Sequence, residues 1–267
     1  IGLPLRPSSL SEPLPPSSCD HKQVKLTKMV LPPRSIIQSS INLDIFCKIA
    51  SYLEVQDICG LGCCSRFWNG LCDSDAIWEP LAKERWPSSQ ASSSSKWKEI
   101  YSRNHKEAAR KASFVIQLVK KLSSAGSLEI GGYYEAIEEL SSMRLTFKDV
   151  QMLLLKPDLG VLVNLIGFHY CLLCLKVPVE AAMKTLIGGG ISERRVCVKW
   201  WKLGRWSYGF RMRDEIHARE ISLGLLATDE GEYVLNVLRR GAVHEVFRVE
   251  ISATVAASSA WYTPITI

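Results

Sequence analysis

The spacing of apolar residues changes period near Gly190, and this change does more than any other feature to bound the fold. Before it, apolar positions recur at helical intervals, and "PVEAAMKTLIGGG" has proline where a helix starts and glycines after it ends. Beyond it, in "RWSYGFRMR", Trp206, Tyr208, Phe210 and Met212 alternate with Arg205, Ser207, Gly209, Arg211 and Arg213. A period of two puts alternate residues on opposite faces of a strand. The spacing therefore predicts one strand there, with a buried aromatic side and an arginine side facing out. "REISLGLLA", "EYVLNVLRRG" and "HEVFRVEI" are read as further strands, the last two joined by a turn at "RRGAV". The expected fold class is α+β, with helices first and a small antiparallel sheet over 195–252.

Within the helical part, "WKEIYSRNHKEAARKASFVIQLVKKL" at 97–122 mixes basic residues with Ile100, Phe114, Ile116, Leu118 and Val119, the pattern of a long amphipathic helix. A glycine break and a second helix follow in "AGSLEIGGYYEAIEEL", then one or two buried helices between Thr146 and Leu175. At 267 residues and 47% hydrophobic, the chain can bury a large core. Seven of its twelve prolines precede residue 34, and 1–38 is expected to be a disordered leader because it has too little apolar area to offset ordering. Residues 1–28 precede the first methionine, Met29, and are expected to be a flexible leader or lie outside the native protein. The run "PSSQASSSSK" divides 39–87 from 97–267 as a serine-rich linker over 88–96.

The formal charge of +6 is dispersed, and only 88–130, at +5, approaches the clustering a nucleic-acid footprint needs. Nine cysteines, an odd number, lie mostly among apolar helical residues, with no Asn-x-Ser/Thr acceptor, which points to a reducing compartment, cytoplasm or nucleus. Cys171 and Cys174 sit beside His169, but no second pair follows, so buried thiols are expected rather than a metal site. The apolar run from Leu159 to Leu175 contains Asn164 and His169 and is read as a buried helix, not a membrane span. "GGG" at 188–190 lacks the Lys-Ser/Thr of a phosphate loop, and no hydrolase motif surrounds any histidine. No cofactor and no catalytic residue is expected.

Residues 41–68, "INLDIFCKIASYLEVQDICGLGCCSRFW", are apolar, helical in spacing and devoid of a ligand set. Ile41, Ile45 and Ile49 fall at i, i+4 and i+8, with Phe46, Ala50 and Leu53 widening the stripe beyond what one small core needs. Ser40 is placed to cap this helix, and a second is expected from Asp57 to about Leu71, carrying Ile58 and Leu61. "AIWEPLAKERW" then closes a three-helix unit.

In order and spacing, "IASYL" at 49–53, "VQDI" at 55–58, "CCSRFW" at 63–68 and "AIW" at 76–78 resemble an F-box. The family's Leu-Pro is here Ile41-Asn42, its acidic position is Asp44, and Phe46 stands for an aliphatic residue. The resemblance implies a non-catalytic, substrate-recruiting subunit of an SCF-type ubiquitin ligase, binding a Skp-family adaptor and through it cullin and RING subunits. It also implies that Ile41, Ile45, Ile49, Leu53, Ile58, Leu61 and Trp68 face the adaptor or support that face. A protein substrate would then bind the C-terminal region, where Trp200, Trp201, Arg205, Arg211 and Arg213 are the candidates, with one of the two adjacent tryptophans facing outward. Two alternatives stand beside this: an interaction module outside a ligase, and a nucleic-acid binder using 195–213. The second is disfavoured because strict alternation separates aromatics from arginines, whereas a stacking platform needs both on one face.

Overall fold

The computed structural model describes residues 43–90, 96–240 and 246–254. The proposed leader, Ser40 and Ile41 lie outside them, as do 91–95 of the serine-rich run and 241–245, which include the last three residues of the expected turn. The architecture is α+β: helices at the front, a helical middle, and an antiparallel sheet toward the C-terminal end.

Four short helices come first, α1 (Leu43–Ala50), α2 (Val55–Cys64), α3 (Arg66–Cys72) and α4 (Asp75–Arg85). The single helix expected from Asp57 to Leu71 is broken at Ser65, whose extended backbone ends α2 and whose hydroxyl accepts the Trp68 N–H at 3.3 Å to start α3. Glu54 and Asp57 form a reciprocal capping box at the head of α2, and Ser74 caps α4. Helices this short are marginal alone; caps and mutual packing hold them.

The helical middle contains α5 (Trp97–Leu122), α6 (Ile130–Met143), α7 (Phe147–Leu153), α8 (Val161–Leu173) and α9 (Val179–Gly188). The buried stripe of α5 runs through Ala108, Ala112, Val115 and Val119, so small residues let neighbouring helices approach while Phe114 stays outside. Every residue of α8 from Val161 to Cys171 is buried, and α8 contacts α5, α6, α7, α9 and two strands. At 13 residues it is the buried helix expected of this run, and no helix among the described residues is long and apolar enough to cross a membrane. Its polar Asn164 is satisfied: the amide donates to the carbonyls of Leu154 at 2.7 Å and Lys156 at 3.0 Å, and its oxygen accepts from Arg194.

The main sheet has the order β1-β6-β2-β5, all antiparallel, from β1 (Ser127–Glu129), β2 (Arg195–Lys202), β5 (Glu215–Ser222) and β6 (Val246–Ala253). Val196, Val198, Trp200, Ile221, Val249 and Ile251 turn inward to the helices. The opposite face is a charged surface in which Arg248 bonds Glu129 at 2.6 Å and lies over the Trp201 ring. β1 went unread in the sequence, since three residues carry no periodicity of their own.

Two expected strands are corrected. Residues 232–240 of "EYVLNVLRRG" belong to a helix, α10 (Asp229–Arg240), because Gly231, Val234, Leu235 and Leu238 share one helical face. Acids in its first turn and arginines in its last oppose the helix dipole and favour the same outcome. The stretch 206–212 is a hairpin instead of one strand: β3 (Trp206–Ser207) and β4 (Phe210–Arg211) pair across a two-residue turn at Tyr208–Gly209.

Candidate functional site

The front helices have two kinds of apolar surface. Phe46 and Ala50 of α1 are buried, and the Phe46 ring sits 5.5 Å from Trp68. The phenylalanine that stands in an aliphatic position is thus absorbed internally. About 100° round the same helix, Ile45 is 56% exposed and Ile49 46%, while Tyr52, in the following turn, is 81% exposed. These three align at i, i+4 and i+7, and sequence reasoning had not singled out Tyr52. Its place in that spacing was the available signal.

The other predicted positions divide. Leu53, Leu61 and Trp68 are half-buried at the rim. Ile58 has no exposed surface, so it supports the unit from within and cannot touch a partner directly. Among the described residues, Ile45 and Ile49 are the members of the predicted set that present fully outward.

This unit is fixed to the rest of the chain by a buried charge pair. Arg85 at the end of α4 donates from Nε to the Asp149 carboxylate at 2.7 Å and from Nη1 to the Tyr101 hydroxyl at 2.9 Å. Trp86 Nε1 donates to the other Asp149 oxygen at 3.2 Å, and that oxygen also accepts from the Thr146 backbone N–H and hydroxyl at the head of α7. Both ion-pair side chains are almost wholly buried. Such a pair contributes little net stability when intact, but is costly to break because one charge is left stranded. Nearby, Lys98 donates to Asp73 at 2.9 Å and holds that carboxyl below its usual pKa, tying the start of α5 back to the α3–α4 turn.

At the other end of the molecule, β2 and β5 continue past Lys202 and Glu215 into an arm tipped by β3 and β4. Trp206 lies opposite Arg211, and Ser207 opposite Phe210. Directly opposed residues in an antiparallel pair share a face. Each face of the arm therefore mixes apolar and cationic groups: Trp206 with Arg211 on one, Phe210 and Met212 with Arg205 on the other. The expected separation of aromatics from arginines fails because a turn between them reverses the parity. The expected burial fails too, since Trp206, Tyr208, Phe210 and Met212 are all exposed, Tyr208 at 99%. Arg205, Arg211 and Arg213 are exposed as predicted positions, and Trp201 is half-buried under Arg248. Trp200 is 5% exposed, stacked on His217 at 5.5 Å and edge-on to Tyr233, so it is a core residue and not a recognition residue.

His169 and Tyr133 form a buried contact of 2.5 Å, and Cys171 is buried with its thiol pushed up to about 12. Neither thiol nor imidazole belongs to a group able to hold a metal among the described residues.

A capped helical unit with an outward apolar stripe presents a surface suited to contact with another protein. Residues 43–83 match the F-box-like family model, so the chain carries an F-box-like domain. No curated protein and no solved structure matches the chain.

Proposed function

We propose that this chain is the substrate-recruiting subunit of an SCF-type ubiquitin ligase acting in cytoplasm or nucleus. The front helices dock a Skp-family adaptor, and the region after Trp97 carries the target. The chain forms no bond itself; it raises the effective concentration of a target beside a ubiquitin-charged enzyme. The observation that carries this reading is the outward stripe of Ile45 and Ile49, continued by Tyr52 in the next turn, on a helix whose other apolar face, Phe46 and Ala50, is already consumed by the chain's own packing. Burying an isoleucine contributes about 1.5–3 kcal/mol. A few such anchors support a firm interface when the helix is preformed.

The test is affinity purification of the tagged chain with adaptor and cullin present. Ile45→Asp should remove both together while the thermal unfolding midpoint stays unchanged. Adaptor capture that survives the charge on a correctly folded chain would sink the proposal.

A further inference from the structure

The arm and the strand beside it share a feature that the docking helices do not use. β5 is the last strand of the sheet, and among the described residues no other strand pairs with its outer side. Its eight residues run from Glu215 to Ser222, and all but Ile221 and Ser222 are exposed or half-exposed. Proteins usually cover, shorten or kink such an edge, because its free N–H and C=O groups template another strand. The arm bends no strand across this one. Instead it extends the same edge with Phe210, Met212 and Arg213, and Ile216 continues the exposed apolar series at 67%.

The chemistry around the edge is net cationic: over 199–222, Lys199, Lys202, Arg205, Arg211, Arg213 and Arg219 outnumber Asp214, Glu215 and Glu220. Between Lys199 and Arg213 there are five cations and no carboxylate. Arg211 is matched by Asp214 at 3.0 Å, whereas Arg213 has no hydrogen-bond or ion-pair partner among the described residues. Arg213 rims a recess of about 380 Å³ at the base of the arm, whose walls include Leu203, Met212 and the cations Lys202 and Arg205 against one carboxylate, Glu215. The turn is also held against local preference. Tyr208 and Gly209 both have positive φ, 51° and 82°, where Asn-Gly is the usual choice. A fully exposed tyrosine kept in that conformation makes no contact that would compensate within the chain.

From the open β5 edge, the cationic aromatic arm and the recess between them, we infer that this chain binds an extended acidic segment of another protein by adding it as a fifth strand beside β5, its apolar side chains on the arm and recess and its carboxylates on Arg213 and its neighbours. The inference names the class of target for the recruitment proposed above and rests on that reading for its biological role. A nucleic acid is the weaker fit. The alternating N–H and C=O groups of the β5 edge are matched in register by the backbone of another strand, and a phosphate backbone has no donor for the carbonyls.

The probe is a fluorescein-labelled peptide of alternating glutamate and valine, about twelve residues long, enough at ~3.3 Å per residue to span β5 and the base of the arm. Anisotropy with the full chain should show saturable binding, weakened ~10-fold or more by Arg213→Glu and by Trp206→Ala together with Phe210→Ala. The same peptide with alternate amides N-methylated should bind at least ~10-fold more weakly, because strand addition needs those donors. Equal binding of a lysine-valine peptide would overturn the assigned charge. Indifference to N-methylation would overturn strand addition, and tighter binding of a single-stranded RNA of similar length would replace the protein target by nucleic acid. Adaptor capture is measured on the same variants. Arm variants that keep the adaptor but lose the peptide support the inference. Ile45→Asp should keep the peptide whatever becomes of the adaptor, so failure of either proposal is seen separately.

Discussion

Helices α1 and α8 are both strongly apolar, yet they have opposite fates. α8 is surrounded by four helices and the sheet, and even its asparagine and histidine are buried. α1 packs one stripe against its own unit and leaves Ile45 and Ile49 in water. Overall hydrophobicity does not separate the two, but the number of apolar stripes left after packing does. A helix with one stripe too many holds surface for something outside the chain.

That contrast can be broken most sharply in the core. Phe168→Ala in α8 should cost about 3–5 kcal/mol in urea unfolding, since the removed ring leaves a cavity that close packing cannot fill. Ile45→Ala should cost under about 0.5 kcal/mol in the same measurement, as expected for a side chain already in solvent. Comparable losses at the two sites would mean that α1 packs as α8 does. The Arg85–Asp149 pair comes next to α8 in effect. Asp149→Ala strands a buried guanidinium and removes the acidic half of the α7 capping box, and should cost roughly 3–5 kcal/mol by thermal unfolding.

A pH titration sharpens the same comparison, because α8 contains a buried histidine and α1 has none. Burial, with the Arg239 charge adding to it, lowers His169 from 6.5 to about 4. The unfolded chain therefore takes up the proton first as pH falls. Its share of stability is complete above pH 6.5 and is lost progressively down to about pH 4, on the order of 3 kcal/mol. His169→Gln should flatten the stability profile across that window, and an unchanged slope would refute the assignment. The smallest effect is expected at the turn: Tyr208→Asn should raise stability by less than about 1 kcal/mol by easing a positive φ, while weakening the acidic peptide if the ring contacts it.

Much of this fold could be read from periodicity. Proline at 178 and glycines after 187 mark the ends of α9, and the F-box-like spacing survives the break at Ser65. Periodicity failed where parity mattered. Alternation over Trp206–Met212 looks the same whether the chain runs straight or folds back at Tyr208–Gly209, but only the fold puts Trp206 beside Arg211. "EYVLNVLRRG" was misread because its Val and Leu residues suggest a strand while their spacing fits a helix face. The Arg85–Asp149 pair was out of reach for another reason, since nothing local in either segment indicates that residues 64 apart will meet.

The sheet also sets an order of events during synthesis. β6 lies between β1 and β2, and Ser127 pairs with Ser252 while Cys197 pairs with the same residue from the other side. A ribosome must therefore pass Ala253 before β1 gains its partner strand, and until then both strands flanking the gap have free edges that chaperones would have to shield. A premature stop shortly after Arg240 would remove the central strand, not a peripheral one, and split the sheet into a single orphan and a two-stranded ribbon.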